Sequence, residues 1–387
     1  MEFSFVDRHP EEEFVCCYNG AIIFYNKSTR TFCSKLSRYA AKHNDVIMLN
    51  YFRSADNWTF PTGTSIKQID WKTGKVILEN NIFIKNIFSN LVKEQREVFE
   101  DTRCDTRAVV FPDSPDKLYL TYNRYKYTRW EDTDLKEAHM MICFEKEAKL
   151  HEVLLSNIPN GYGTDFEKNW LFIPADYPGQ DEQKLSQKRF RHFVYTLYPQ
   201  VITCRTSRQA IAEEEKSKPK HWHSSKTWNI AIRHRPLPNI PDLVNCRLAP
   251  EFHIRGGATP VFVDGLWWFF AHTRELLIHE RFIVNKWIPE RSKVVSREVI
   301  LYRMIIVVCQ DSEENFQLEP KAYTFPLEFD SLRIKTTSKD HLRAIFPTGA
   351  CFDETEQMWI ICAGMNDMEQ VIFRIPHSEV LSMLEYT

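Results

Sequence analysis

Arg255 and His272 stand at the two ends of a segment that combines groups able to bind an anion with residues typical of strands. The segment, HIRGGATPVFVDGLWWFFAH, covers residues 253–272. Gly256 and Gly257 follow the arginine directly and allow a tight turn and a close approach of the backbone to a ligand. A guanidinium offers five donors to phosphate, carboxylate or sugar hydroxyls. We therefore predict that Arg255 and His272 bind a ligand, although an ion pair between sheets and a core histidine would explain them too.

A second candidate, FEDTRCDTR, alternates acids with arginines ahead of a predicted strand. Asp101 and Asp105 alternate with Arg103 and Arg107. A nearby arginine lowers the pKa of an aspartate, which suits a nucleophile, a base or a hydroxyl acceptor better than a general acid. An ion-pair lattice that supports a loop is the alternative interpretation.

The motif FEKNW places a carboxylate, an amine and an amide in consecutive positions between two aromatic residues. In a strand, Glu167 and Asn169 share one face, while Lys168 lies on the other. A carboxylate and an amide can bind sugar hydroxyls. Trp170 can stack on the apolar face of a sugar or pack between strands.

Two further motifs contain polar residues in predicted turns next to strands. YFRSADNW contains Arg53 and Asn57, and GMND contains Asn366 and Asp367. Ordinary surface turns explain both motifs nearly as well as a binding role does.

Composition excludes several classes of function. The 387 residues are 43% hydrophobic and 26% charged, and the formal net charge of -2 disfavours nucleic-acid binding. The first residues lack the pattern of a signal peptide, and no apolar run reaches the ~18 residues of a membrane helix, so we expect a cytoplasmic protein without membrane insertion.

The ten cysteines are scattered without a C-x-x-C motif, and we expect reduced thiols in a core. His221 and His223 have no third ligand nearby in the sequence, so we expect no metal site. Phosphate-binding loops, dinucleotide fingerprints and hydrolase elbows are missing, and we expect no cofactor.

Short runs rich in Val, Ile, Phe, Tyr and Trp alternate with turn residues along the whole chain, which indicates an all-β fold. Hairpins near residues 107, 259 and 349 are spaced as expected for four-stranded blades. We predict a single domain over residues 1–387, a five-bladed β-propeller with a central axial pocket and helix or loop insertions at 207–226 and 275–304. The predicted blades lie near residues 44–97, 98–160, 161–248, 249–335 and 336–387, and a strand near 14–25 closes the ring by pairing into the last blade.

The order of these motifs over residues 45–375 resembles five-bladed β-propeller carbohydrate-active enzymes related to the β-mannoside phosphorylases and β-1,2-mannosyltransferases. The resemblance implies a substrate in the central cavity and inversion in one displacement. It also implies basic residues that receive a phosphate or the phosphate of a nucleotide sugar. The residues that match the motifs of the family are Glu100, Asp101, Arg103, Glu167, Lys168, Asn169, Arg255 and His272.

The sequence departs from that family at Asn123, because the phosphorylases usually have an aspartate at the comparable place. An asparagine cannot transfer a proton as a carboxylic acid does, so Asp101 and Asp105 become candidates for the general acid.

Three functions remain open at this stage. The first is a glycosyltransferase or glycoside phosphorylase for mannose-like sugars, with Asp101, Asp105 and Glu167 as catalytic candidates. The second is an inverting hydrolase, which needs two carboxyl groups about 6.5 to 9.5 Å apart, with Glu167 and Asp101 as the pair. The third is a noncatalytic propeller that binds a glycan or a protein.

Overall fold

The structure is a computed structural model of the 387-residue chain. It describes residues 1–7, 15–26, 28–29, 31–36, 44–54, 63–77, 101–112, 115–116, 118–126, 136–144, 151–155, 171–174, 190–197, 200–207, 231–236, 254–284, 293–312, 317–327, 343–365 and 369–386.

Strands make up nearly all the regular structure of these residues, and the prediction of an all-β fold is confirmed. The helix they include is α1 (His377–Ser382). It is too short and too polar to cross a membrane, and no other described helix could do so.

Three sheets have four antiparallel strands each. In the first, the strand order is β3-β2-β5-β6; in the second, β10-β9-β8-β7; and in the third, β11-β12-β13-β14. The first sheet contains β2 (Val15–Asn26), β3 (Thr31–Cys33), β5 (Asn44–Ser54) and β6 (Gly63–Ile69). The second contains β7 (Asp101–Val109), β8 (Leu118–Lys126), β9 (Lys136–Phe144) and β10 (His151–Leu155). The third contains β11 (Leu171–Ile173), β12 (Phe190–Thr196), β13 (Gln200–Ser207) and β14 (Ala231–Pro236).

A larger sheet has eleven strands and consists of two halves. One half, which we call the fourth-sheet half, contains β15 (Ile254–Gly257), β16 (Val261–Val263), β17 (Leu266–Val284), β18 (Lys293–Ser312), β19 (Gln317–Thr324) and β23 (Leu384–Tyr386). The other half, which we call the fifth-sheet half, contains β1 (Glu2–Phe5), β4 (Lys35–Leu36), β20 (Arg343–Asp353), β21 (Met358–Met365) and β22 (Glu369–Pro376). We refer to the three smaller sheets and these two halves as the five layers. A short parallel pairing of β18 with β20 joins the halves.

The strand that completes the fifth-sheet half differs from the predicted one. The segment near 14–25 was expected to pair into the last blade, but β2 pairs with β5 of the first sheet. Residues 2–5 of β1 pair with β22 instead. The physical reason is burial, because Ala21, Ile22, Ile23 and Phe24 are all at most 2% exposed. A strand with both faces apolar needs cover on both sides, whereas the more exposed β1 suits an edge.

The predicted insertion at 275–304 is also wrong. Its described residues continue β17 and β18, which pair as one long hairpin as far as Val284 and Lys293. Charged residues oppose each other across this ribbon, for example Glu280 and Arg297. Mixed apolar and charged positions are typical of a two-stranded ribbon as well as of a loop. Most of the predicted insertion at 207–226 lies outside the described residues.

Strand β17 separates two apolar cores, which explains its unbroken apolar sequence LWWFFA. Trp267 and Phe269 pack with β11 and β12 of the third sheet. Trp268 and Phe270 pack on the fifth-sheet half. Because side chains alternate along a strand, a sheet buried on both faces needs apolar residues at every position.

The same alternation continues into the next layer. In β21, Trp359 and Ile361 face the fourth-sheet half, while Ile360 and Cys362 pack with β2 of the first sheet. The amide of Phe32 in the first sheet donates to the carbonyl of Pro115 in the second sheet, at 2.7 Å. The layers therefore contact one another in a definite order. It runs from the third sheet through the fourth-sheet half, the fifth-sheet half and the first sheet to the second sheet.

Candidate functional site

Seven register shifts occur in the described strand ladders, and four of them lie in β2, β7, β15 and β20, each from a different layer. These four shifts lie between Tyr18 and Ala21, Cys104 and Arg107, Arg255 and Gly257, and Pro347 and Gly349. Bulges bend a strand and redirect side chains, and they are over-represented next to active sites.

Contacts between layers bring these irregular segments together. Thr348 Oγ1 donates to the carbonyl of Gly20 at 2.6 Å, which joins β20 to β2. Arg107 Nε donates to the carbonyl of Gly257, which joins β7 to β15. We call the site formed by Gly20, Arg107, Gly257 and Thr348 the bulge junction.

Gly257 is required by the geometry of this junction. Its φ of +147° is one that side-chain-bearing residues rarely adopt. A Cβ atom would also overlap the carbonyl oxygen of Phe270 and the backbone of Ala271. The close backbone approach inferred from the glycine pair is therefore made to β17, and the carbonyl of Gly257 points to Arg107.

Arg107 has no solvent-exposed surface. Its Cζ lies 5.9 Å from the centroid of the Phe346 ring, within the range of a cation–π contact. Arg107 is not among the site residues predicted from the sequence, where it is one of the arginines that alternate with Asp101 and Asp105 and that an ion-pair lattice would explain too. The signal that could have revealed it is the repeated Asp-Thr-Arg triplet, which ends first at Arg103 and then at Arg107.

His272 is 4% exposed and lies among aromatic rings. Its ring centroid is 4.1 Å from that of Phe346 and 5.7 Å from that of Tyr302. It is paired in register with Arg255 of β15, so the backbones of these two predicted site residues are direct cross-strand neighbours.

The described residues of the acidic motif lie on β7. The ladder pairs Cys104 with Asn123 and Arg107 with Thr121, so Asp105 lies inside the bulge. Asp101 and Arg103 lie in the regular part of the strand that precedes the bulge. Of the three, Asp105 therefore lies nearest in the chain to the bulge junction.

Arg53 lies near the end of β5 and pairs with Cys16, on the amino-terminal side of the β2 bulge. Other predicted site residues adjoin described strands, because β11 begins at Leu171 directly after the EKNW motif and β21 ends at Met365 directly before Asn366. The predicted site residues outside the described residues are Asn57, Glu100, Glu167, Lys168, Asn169, Trp170, Asn366 and Asp367.

The thiols of Cys33 and Cys351 are poor nucleophiles. Burial raises the pKa of Cys33 to about 11 and that of Cys351 well above its usual value. Neither thiol is therefore ionised near neutral pH. The described residues also include no group of three His, Cys, Asp or Glu residues placed to hold a metal ion.

No protein-family model and no curated protein sequence matches this chain. Solved structures do match it in fold. MPT-1, a GDP-Man-dependent mannosyltransferase from Leishmania mexicana, has a TM-score of 0.50 at 10% identity over 97% of this chain and 90% of its own. MPT-4, a mannose phosphorylase from the same organism in complex with phosphate ion, has a TM-score of 0.51 at 9% identity over 100% of this chain and 91% of its own.

The expected resemblance to mannosyltransferases and mannose phosphorylases is thus confirmed as a likeness in fold. A common fold does not by itself assign an activity, which has to be argued from the site.

Proposed function

We propose that the five layers form a five-bladed β-propeller with a central cavity at the bulge junction. In this arrangement β2, β7, β11, β15 and β20 are the innermost strands. The support is the order of layer contacts and the cross-layer hydrogen bonds from Arg107 and Thr348. Closure of the ring then requires the second and third sheets to pack against each other.

We propose further that the protein is a carbohydrate-active enzyme, a glycosyltransferase or glycoside phosphorylase that acts with inversion on mannose-like sugars. The observation that carries this proposal is the convergence of irregular strands on one junction next to Asp105, Arg255 and His272. An inverting transfer needs one carboxyl group and cationic groups that bind a phosphate, and the residue types of Asp105, Arg255 and His272 suit these two tasks.

In the phosphorolytic direction, the carboxylic acid protonates the glycosidic oxygen as its bond to C1 breaks. A phosphate oxygen attacks C1 from the opposite face and forms a sugar 1-phosphate. In the direction of transfer from a nucleotide sugar, the carboxylate takes the proton of the acceptor hydroxyl. That hydroxyl oxygen attacks C1, and the nucleoside diphosphate leaves.

We assign the proton transfer to Asp105, because its backbone lies inside the β7 bulge, two residues before Arg107 of the junction. Asp101 and Glu167 are the alternatives. Phosphate binding falls to Arg103, Lys168, Arg255 and His272. The residues left to bind sugar hydroxyls or stack on the sugar are Arg53, Asn57, Glu100, Asn169, Trp170, Asn366 and Asp367.

The test is to incubate the purified protein with α-mannose 1-phosphate or GDP-mannose, each with mannose and β-mannobiose acceptors, and to detect new mannosides. Asp105→Asn, Asp101→Asn and Glu167→Gln identify the acid. We expect product from one donor and loss of turnover in Asp105→Asn. No product from either donor, together with no binding of inorganic phosphate, would contradict the proposed enzyme.

A noncatalytic propeller that binds glycan or protein is the second candidate. It is favoured by Asn123, which pairs with Cys104 at the start of the β7 bulge, where a carboxyl group would suit catalysis. Mannoside binding without turnover, unaffected by the three substitutions, would support this candidate. Release of free mannose from mannosides without phosphate would instead indicate the inverting hydrolase.

A further inference from the structure

Arg107 carries a charge in a fully buried position where three layers meet. Taking a guanidinium out of water is unfavourable unless hydrogen bonds satisfy its donors. The contacts of Arg107 must therefore offset this cost. Its Nε–H donates to the carbonyl of Gly257, a residue 150 positions away on another sheet. The buried arginine therefore connects the strand of Asp105 to the strand of Arg255.

A second hydrogen bond joins the same two segments in the opposite direction. Thr259 Oγ1, just after β15, donates to the carbonyl of Ala108 at 2.8 Å. Arg107 and Ala108 are consecutive in β7, while Gly257 and Thr259 flank Ala258. The two bonds therefore join β7 to the end of β15 and the residues just after it, and each segment provides one donor and one acceptor.

The ring of Phe346 extends this arrangement to His272. Arg107 Cζ lies 5.9 Å from the ring centroid, and the His272 ring centroid lies 4.1 Å from it. The same arginine therefore contacts the carbonyl two residues after Arg255 and the ring packed against His272.

We propose that Arg107 is a positioning residue, which sets the distance between the proposed acid Asp105 and the proposed phosphate-binding pair Arg255 and His272. This inference rests on the proposed function. Arg107 itself is assigned no contact with substrate. Its effect is to fix the β15 bulge against β7, so that the acid and the phosphate act on the same glycosidic bond.

The central variant is Arg107→Lys, which keeps a positive charge but lacks the Nε–H that bonds Gly257. The matched control is Arg374→Lys. Arg374 also bonds a backbone carbonyl of another layer, since its Nη1 donates to Trp71 O at 3.2 Å, and its Nη2 donates to Ser4 Oγ at 2.8 Å. Arg374 lies on β22, which pairs, among the described residues, with none of the strands of the bulge junction. Its variant therefore tests whether losing any arginine hydrogen bond between layers has the same effect.

We expect Arg107→Lys to lower kcat by about tenfold or more and to weaken binding of inorganic phosphate by about tenfold, because misplacement by about 1 Å is enough for such losses. Arg374→Lys should leave both quantities unchanged. Thr259→Val removes the hydrogen bond to Ala108 and leaves Arg107 in place. It should lower kcat as well, but by less than Arg107→Lys does. Kinetics and calorimetric titration with inorganic phosphate measure these effects.

Hydrogen exchange gives a readout that does not depend on activity. The amide of Ala258 donates to Phe270 O at 2.9 Å, so its exchange rate reports on the β15 bulge. Faster exchange of this peptide in Arg107→Lys, but not in Arg374→Lys, supports the positioning role even if no substrate is turned over. In that case the proposed function fails, and what stands is that Arg107 fixes the β15 bulge against β7. Unchanged exchange, or unchanged kcat and phosphate affinity in an active enzyme, overturns the role of Arg107.

Discussion

Two histidines are buried among the described residues, His272 in β17 and His377 in α1, and they differ in what surrounds them. His377 is 7% exposed and lies at the start of α1. The indole Nε1–H of Trp359 donates to its Nδ1 at 2.9 Å, and its Nε2 lies 3.6 Å from the Asp264 carboxylate. The ring of Trp268 packs at 5.1 Å from its ring. Each described contact of His377 therefore belongs to the regular aromatic core or to the nearby hairpin turn.

His272 lies six residues beyond Leu266, where β17 starts, which is roughly 20 Å along the strand. Its neighbourhood is irregular, because β15 is bulged beside it and a buried arginine from another layer binds that bulge. The comparison shows that the surroundings of His377 are regular and aromatic, whereas those of His272 include a bulge bound by a buried arginine. Substitutions around the two histidines should consequently affect different properties.

The largest expected effect is on catalysis at the bulge junction. Asp105→Asn removes the proposed acid and should lower kcat by about 10²- to 10⁴-fold, the usual contribution of general acid–base catalysis. Stability should change little, since asparagine has the same size and shape. The rate of mannoside formation measures the effect.

The control for this prediction is Asp116→Asn, the same chemical change at an exposed turn of the same hairpin. It should leave kcat unchanged. An active Asp105→Asn protein combined with an inactive Asp101→Asn or Glu167→Gln protein would move the acid to that residue.

The next effect is on stability and compares two glycines with positive φ. Gly257→Ala places a Cβ against the backbone of Phe270 and Ala271 and should lower the free energy of unfolding by more than about 3 kcal/mol. Gly265→Ala lies in the hairpin turn next to Asp264, has a φ of +79° and meets no atom within 4 Å. It should cost only about 1 kcal/mol, from backbone strain alone. Urea unfolding measures both, and equal losses would contradict the tight packing inferred at Gly257.

A smaller effect separates the two histidines directly. His272→Gln removes a proposed phosphate ligand and should weaken inorganic phosphate binding by about tenfold, or about 1.4 kcal/mol. His377→Gln should leave phosphate binding unchanged and lower stability instead, because it disturbs the aromatic core around Trp359. Calorimetric titration and urea unfolding of both variants give the comparison. If both variants bound phosphate as the wild type does, His272 would be a core histidine like His377.

Much of the regular part of this comparison could be predicted from the sequence. The run LWWFFA before His272 indicates a strand buried on both faces, and hairpins were predicted where β17 and β21 occur. The repeated Asp-Thr-Arg triplet marks Arg107 as a candidate. Its burial and its bond to Gly257 could not be predicted, because they depend on a shift in the β7–β8 ladder that no residue type specifies. The edge position of β1 was missed for a related reason. Its four residues are too short to outweigh the longer apolar run of β2 as a candidate for closing the sheet.

The smallest expected effect is the pH dependence of stability due to His377. Burial lowers the pKa of His377, and the Asp264 carboxylate opposes this shift only in part. The unfolded chain therefore binds a proton more readily than the folded protein does. The contribution of this group to stability is complete above the ordinary histidine pKa of about 6.5 and is lost as the pH falls through and below that value. Urea unfolding between pH 8 and pH 5 should show this decline in the wild type and a shallower one in His377→Gln.

Asp264→Asn sharpens the test, because it removes the carboxylate whose negative charge raises the pKa of His377. Burial then acts unopposed, so the folded protein resists protonation more strongly. The loss of stability on acidification should be steeper than in the wild type. A shallower loss would mean that protonated His377 is tolerated in the aromatic core, and that the surroundings of the two histidines differ less in their chemistry than their contacts indicate.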